Sequence, residues 1–509
     1  MDVLFINPSS GKQVYQALAD KYSAISTPYW LLLLAESTRS AGYEVSILDL
    51  LAERIQKDKA VERINKINPK LICFVVYGEN VNSGTTQMSG AIEYSEYISK
   101  YTEKSKIAFI GSYVQALPIK AMQDEPSIDF IFTNEGVYAL QELLKTDLNN
   151  LSQLKNVKGI CFRDTGRIKM NHPEVIVPQD RMDLDMPGYA WDLLPFKERP
   201  LDLYRSPLWH AGYNHSDRSP YAALYTSLGC RFQCNFCMIN LINRDDDLEV
   251  GVASNYNKMR YWSPEWVIRQ FDKLVSWEVK TIRISDEMFL LNPKYYKTIC
   301  NLLVSRGYGE KLNLWSYSRV DTVAKDENLR LLNEAGFKWL CLGIESANKT
   351  VRLEASKGNF ENVNIKDVVE RVHNGQIEVM ANYLFGLPED NMKTMQETLD
   401  LSIDLNTSAW NGYPVIPLPG SQIYRDLHYS GHDLPKSYED YSFHSYNTMP
   451  IPTKFLKPSE VLKFRDRAFV EYHSNKKFLK RIEKNFGTDA VQNINEMLEV
   501  KLKRKILGD

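Results

Sequence analysis

A chain of 509 residues exceeds one ordinary core, and 44% hydrophobic with 25% charged residues is the make-up of a globular protein of two or three domains. The 62 Lys and Arg nearly balance 64 Asp and Glu, so the net charge of -2 gives no general attraction to nucleic acid or to an anionic membrane. Residues 1–8 carry no basic leader, and the longest aliphatic run, around Leu31 to Leu34, falls far short of the roughly 20 residues of a membrane span, so no membrane span and a cytoplasmic location are expected.

Over residues 1–150, short apolar or β-branched runs at 3–6, 45–48, 71–76, 107–110 and 130–132 alternate with amphipathic stretches such as 30–40, which ends at Gly42, and 91–101. This rhythm predicts a Rossmann-like, doubly wound α/β domain with a parallel sheet. Ligands of such sheets sit beyond the carboxyl ends of the strands, here the loops around Tyr77, Gly78, Asn80, Gly111, Ser112, Glu135 and Gly136. Residues 151–215 read as a linker holding a small hairpin that turns at Asp164, Thr165 and Gly166. From 216 to 430 six further strands, near 222–226, 281–285, 312–318, 339–343, 379–385 and 409–416, predict a partial (β/α)6 barrel. Ser263 followed by Pro264 and Glu265 marks a helix start there. Residues 431–509 read as helical, ending in the basic run Lys501 to Lys505 as a helix end.

The chemistry is announced by Cys230, Cys234 and Cys237, spaced Cys-x3-Cys-x2-Cys directly after the first barrel strand. Four thiolates close a metal site, whereas three leave a corner at which a substrate or cofactor can bind. The bland alternatives are a structural zinc site or three buried thiols, and zinc would need a fourth ligand that no nearby Cys or His supplies. Seven cysteines in so long a chain form no disulfide framework and fit a reducing compartment. Cys73, Cys161, Cys300 and Cys341 sit in strand or helix contexts and read as ordinary buried thiols.

The motif, with Phe236 before its last cysteine, resembles that of radical S-adenosylmethionine (SAM) enzymes, whose [4Fe-4S] cluster holds SAM on its fourth iron; the likeness covers about residues 216–430. It implies SAM contacts from Asp286 and Glu287 for the amino group, Arg319 for the carboxylate and Glu345 for the ribose, with Gly386 and Pro388 in a turn beside the adenine. Residues 28–35, 41–45 and Asp49, together with 111–118 and 134–136, resemble the cobalamin-binding domain fused to many such enzymes. No Gly-x-Gly-x-x-Gly follows the first strand, which leaves a dinucleotide little support. All eight histidines lie at His172 or later, and the Asp-x-His-x-x-Gly motif is absent, so the cobalt takes no histidine from this domain. The loop 77–86 reads equally as a cobalamin cap or a solvated surface loop, the segment 209–215 as linker packing or channel wall, and the loop 244–260 as a specificity loop or a solvated acidic one.

The resemblance implies reductive SAM cleavage, hydrogen abstraction and methylation of an unactivated carbon, fed by an external electron donor such as flavodoxin or ferredoxin. The substrate, a small molecule or peptide, is unnamed by the sequence. Cobalamin-dependent cyclisation or rearrangement is the alternative, and an iron-sulfur electron carrier or redox sensor is the alternative of another class. A methylthiotransferase is disfavoured, because the amino-terminal domain lacks the three cysteines of a second cluster.

Overall fold

Runs such as Leu71–Val76, in which every residue is buried, must lie between two helical layers, since neither face can meet water. The computed structural model describes residues 1–509 except 11–13, 20, 80, 103, 196, 198, 200, 207–219, 324–325 and 357–362. Its first sheet comprises β1 (Val3–Asn7), β2 (Val45–Asp49), β3 (Leu71–Val76), β4 (Lys106–Gly111), β5 (Phe130–Phe132), β6 (Ile160–Asp164) and β7 (Arg167–Met170), in the order β2-β1-β3-β4-β5-β6-β7. The first five strands are parallel, and the order reverses at β1. The hairpin expected within the linker extends this sheet instead, as β6 pairs antiparallel with β5. Its apolar Ile160, Cys161 and Phe162 cover the edge that β5 would otherwise leave open. Thr165 and Gly166 make the turn, with φ of 49° and 83°.

The second sheet has six parallel strands in chain order: β8 (Tyr221–Leu224), β11 (Thr281–Ile284), β12 (Asn313–Arg319), β13 (Phe337–Glu345), β14 (Glu378–Phe385) and β15 (Ala409–Pro414). Between β8 and β11 lies a two-stranded pair, β9 (Ser227–Leu228) with β10 (Arg260–Tyr261). Ser263 Oγ caps the helix Pro264–Ser276 by accepting from Trp266 N at 3.1 Å, as the sequence predicts. The outer face is sealed by helices, with Phe385 packed on Phe464 at 5.5 Å and Trp410 stacked on Tyr472 at 5.4 Å.

The inner face reads differently. Tyr317, Gly343, Glu345, Asn382, Asn411 and Tyr413 keep accessible surface, while Ser318, Leu342, Ile344, Ala381, Tyr383 and Gly412 beside them are buried. A fully packed sheet would bury both sets, so the curled sheet encloses an open lumen. Its floor is Trp315, Trp339, Met380 and Ala409, onto which Phe486 stacks at 5.6 Å from Trp339.

The carboxyl-terminal region is the helices Pro458–His473, Lys476–Phe486 and Thr488–Glu499, with no strand among its described residues. The basic run does not end a helix, because the last helix stops at Glu499. Arg504 turns inward instead, paired with Asp466 at 2.9 Å and donating to the carbonyl of Phe443 at 2.9 Å, partners that satisfy a buried guanidinium. Among the described residues no helix is long and apolar enough to cross a membrane.

The two sheets are fastened together. Thr27 Oγ1 bridges the free edge of β8, accepting from Ala223 N at 2.8 Å and donating to its carbonyl at 3.1 Å. The loop 244–260 exposes its acidic residues Asp245, Asp247 and Glu249 to solvent and is also tied to the first domain: Gly251 N donates to Ala116 O at 2.8 Å, and the buried Arg244 donates to Gln115 O.

Candidate cofactor and substrate site

The cysteine loop is shaped by backbone geometry first. Gly229 has φ +85°, and a Cβ there would lie 1.9 Å from the carbonyl of Lys258, so only glycine can lead from β9 into the loop. Asn240 then clamps Cys230, donating to its carbonyl and accepting from its N–H, both at 2.8 Å. Cys237 N donates to Cys234 O at 3.2 Å, and Phe232 lies 3.7 Å beneath the Arg319 guanidinium. The three thiols feel one another electrostatically, and burial pushes Cys230 and Cys234 up to about 12 and Cys237 higher. Thiols in this setting become thiolates when they coordinate a metal centre, which supplies the positive charge. Among the described residues no three His, Cys, Asp or Glu side chains converge on a single ion. A four-iron cluster does not ask for that convergence, since its thiolates sit on different irons, and the donor set fits it.

The strand ends around this loop divide their work. Asp286 is fully engaged, accepting from Thr226 N and Thr226 Oγ1 at 2.6 Å and from Ser227 Oγ at 2.5 Å, so it braces the chain leading into the cysteines. Glu287, its neighbour, accepts no hydrogen bond, is half-buried and lies within electrostatic reach of Cys230 and Cys237; burial raises it to about 7, against the pull of Arg283. The Arg319 guanidinium is oriented by Asp321, through Nε at 2.8 Å and a second contact from Nη2. It lies within electrostatic reach of Cys234 and Glu345. Glu345 sits where the register of β13 against β14 slips, with φ 65°, a left-handed conformation strained for a glutamate. Burial raises its carboxyl to about 7 as well. Farther round, Gly386 N and Leu387 N donate to Asp390 Oδ2 at 3.0 and 3.1 Å, closing the turn that contains Pro388.

The amino-terminal domain presents the carboxyl edge of its sheet to this loop. Asn82, in the segment after β3, accepts from Met238 N at 3.2 Å, directly beside Cys237. Tyr77 packs edge-on to Trp30 at 5.4 Å and accepts from Gln115 Nε2 at 2.5 Å. Asn80 and the whole segment 209–215 lie outside the described residues. Close backbone approach replaces side chains at this edge: a Cβ on Gly111 would lie 2.2 Å from Val76 O, and one on Gly84 would lie 2.1 Å from Ser112 Oγ. Thr85 Oγ1, Ser112 Oγ, Thr133 Oγ1 and Gln115 Oε1 are buried there without a protein partner, which suits an amide-rich ligand such as cobalamin. Gly78 and Gly136 turn with φ of 68° and 80°. Glu135 points elsewhere. Its carboxylate meets Arg260 at 2.6 Å and accepts from Val177 N at 2.5 Å, so it is tied to the barrel. A cleft of about 740 Å³ opens at the carboxyl ends of β1 and β2, walled by Ser9, Ser10, Ile55, Tyr94 and Tyr97. A histidine from the carboxyl-terminal region, His444, packs against Tyr15 at 5.4 Å.

Three contributors escape sequence reading, Asn240, Arg283 and Asp390, whereas Asn82 lies in the loop 77–86 that the sequence offers as a cap. Of the three, only Arg283 carried a signal, as a charge in the middle of an otherwise apolar strand.

Comparison with known proteins gives two domain matches, the radical SAM superfamily over residues 224–402 and the B12 binding domain over residues 15–144. An uncharacterized methyltransferase of Pyrococcus horikoshii is 23% identical over 425 residues, covering 83% of this chain and 82% of the relative. The anaerobic magnesium-protoporphyrin IX monomethyl ester cyclase of Cereibacter sphaeroides is 22% identical over 476 residues, covering 91% of this chain and 68% of the relative. Among solved structures, the radical SAM methyltransferase TsrM of Kitasatospora setae, with cobalamin and a [4Fe-4S] cluster bound, shares the fold with a TM-score of 0.64 at 16% identity, over 92% of this chain and 88% of that one.

Proposed function

Because the chain belongs to the cobalamin-dependent radical SAM enzymes, with a [4Fe-4S] cluster, SAM and cobalamin as cofactors, we propose that it methylates an unactivated carbon of a substrate held in the barrel lumen. The observation that carries the reading is a convergence: three thiols, two carboxyls near pH 7 and an oriented guanidinium meet on one loop system, against the carboxyl edge of the amino-terminal sheet. When bound, the cluster and SAM supply one-electron cleavage chemistry, and cobalamin supplies a methyl carrier.

The chain's own residues bind, orient and enclose. Cys230, Cys234 and Cys237 hold the cluster. Glu287 takes the amino group of SAM, with Asp286 bracing the strand end beside it, and Arg319, fixed by Asp321, sets positive charge where the carboxylate belongs. Glu345 meets the ribose hydroxyls, and the Gly386 to Pro388 turn borders the adenine. On the other side, Tyr77, Gly78, Gly111 and Ser112 line the cobalamin face, the cleft beside Ser9 and Tyr94 takes its tail, and Glu135 and Gly136 serve the docking of the domains. Enclosure between the domains keeps water from the reacting atoms. A reducing cytoplasm and an external donor such as flavodoxin or ferredoxin complete the proposal.

Likeness to a cyclase over most of the chain favours a second reading, ring formation without methyl transfer. One experiment separates these. Anaerobically purified protein is assayed for iron, cobalt, 5′-deoxyadenosine and S-adenosylhomocysteine, using SAM labelled on its methyl group and a panel of small molecules and peptides. Methylation yields both nucleosides and a labelled product; 5′-deoxyadenosine alone with a productive substrate indicates cyclisation or rearrangement. Iron without any SAM cleavage would leave an electron carrier.

A further inference from the structure

Inside the lumen stands a cation that the protein leaves unmatched. Arg283, on β11, faces inward in register with Ala223 and Trp315, and its guanidinium lies 5.1 Å from the Trp315 ring and 5.0 Å from the Tyr317 ring. It is 1% exposed, yet its Nε is sealed from water with no acceptor, and among the described residues no hydrogen bond or ion pair engages its terminal nitrogens. Other buried guanidinium groups in this chain meet a carboxylate through their terminal nitrogens, Arg504 at Asp466 and Arg260 at Glu135, although the Nε of Arg260 also lacks an acceptor. Leaving such donors unmet is costly, and proteins keep them unmet where a ligand supplies the acceptor. Two further groups repeat the pattern. Tyr221, an electrostatic neighbour of Arg283, and Ser26 beside it bury hydroxyls that find no partner other than each other among the described residues.

We infer that Arg283 is the anchor for an oxyanion, a carboxylate or phosphate, carried by the substrate of this enzyme. The inference rests on the reading of the lumen as the substrate chamber. The ring faces of Trp315 and Tyr317 hold the guanidinium plane, leaving its edge to make paired bonds with two oxygens of one anion. Tyr221 and Ser26 add neutral donors. Glu79 and Glu287 share the field of Arg283 without touching it, so neither closes the anion position by a salt bridge. SAM has its own cation at Arg319, beside the cluster. Arg283 lies within β11, before the strand end that carries Asp286 and Glu287, and this favours a group of the substrate that sits away from the reacting carbon and fixes its register.

The test uses holoprotein with cluster and cobalamin in place, and equilibrium dialysis of labelled inorganic phosphate and labelled acetate. Wild type is expected to show one saturable site for one of the two probes, which identifies the anion class. Arg283→Gln should weaken it by about tenfold to a hundredfold and Arg283→Lys by less, and the Lys variant, which keeps the charge that favours ionised Glu287, should bind SAM as wild type does. Arg283→Met keeps the apolar stem between the rings and stands in if the Gln variant fails to load its cluster. Selenate diffraction on wild-type crystals needs no variant: an anomalous peak beside Arg283 supports the assignment. Absence of saturable binding in wild type, equal binding by the variants, loss of SAM affinity in the Lys variant instead, or selenate only at other positions would each overturn it. None of these readings requires turnover, so a protein that binds phosphate at Arg283 but fails to cleave SAM would sink the proposed activity and leave the anion site standing.

Discussion

Asp286 and Glu287 stand side by side at the end of β11 and have opposite fates, because one points into three hydrogen-bond donors and the other into the lumen. A carboxyl raised to about 7 is mostly neutral at pH 6 and mostly ionised at pH 8. Only the ionised form of Glu287 can hold a cationic amino group, so SAM affinity should rise by about tenfold from pH 6 to pH 8, the ratio of the ionised fractions. Glu287→Gln should bind SAM more weakly and flatten that slope, as read by anaerobic calorimetry across the range. Glu345 titrates near the same pH, but a neutral carboxyl still exchanges hydrogen bonds with ribose hydroxyls. Glu345→Gln is therefore expected to keep the slope, and a slope that survives only in the Glu287 variant would transfer the amino-group role to Glu345.

At the scale of elements, the cysteine loop is held from outside its own motif. Asn240 satisfies both backbone groups of Cys230, and removing it leaves a buried N–H and carbonyl unpaired, at a cost of about 1–3 kcal/mol each. Asn240→Ala should take up half or less of the wild-type iron on reconstitution, with all three cysteines present, measured by iron assay and the cluster's visible absorbance. Full iron loading would show that the thiols organise the loop unaided. This clamp was invisible in the sequence, where Asn240 is one polar residue among many, whereas the cysteines themselves, the six barrel strands and the Ser263 cap were legible because each is a local pattern. The hairpin's destination was not, since pairing with β5 depends on which edge stays open after the parallel strands assemble. Nor could spacing separate Asp286 from Glu287, or reveal that Glu135 serves docking, for both outcomes depend on where distant chain segments pack.

The whole molecule works only if its two halves hold two cofactors at a fixed separation, and four of the contacts between them lie near the cysteine loop or the edge of the barrel sheet. Thr27 rides the edge of β8, Asn82 touches the cysteine loop, the 244–260 loop reaches Gln115 and Ala116, and Glu135 meets Arg260 in a buried pair. Such a pair contributes little net stability compared with a well-packed apolar substitute, but losing one partner strands the other's charge at a cost of about 3–5 kcal/mol. Arg260→Met strands Glu135 and also releases Val177 O and Asn243 Oδ1, both held at 2.8 Å. The expected result is uncoupling: urea unfolding of the variant separates into two transitions, with the amino-terminal domain melting earlier, and cobalamin is retained less well at unchanged iron content. Adding Glu135→Leu removes the stranded charge and should recover part of the lost stability without restoring cobalamin retention, because the direction supplied by the ion pair is gone even when its penalty is not. If both variants unfold and retain cobalamin as wild type does, the ion pair does not register the two halves, and the same pair of measurements on Thr27→Val and Asn82→Ala tests the next contacts.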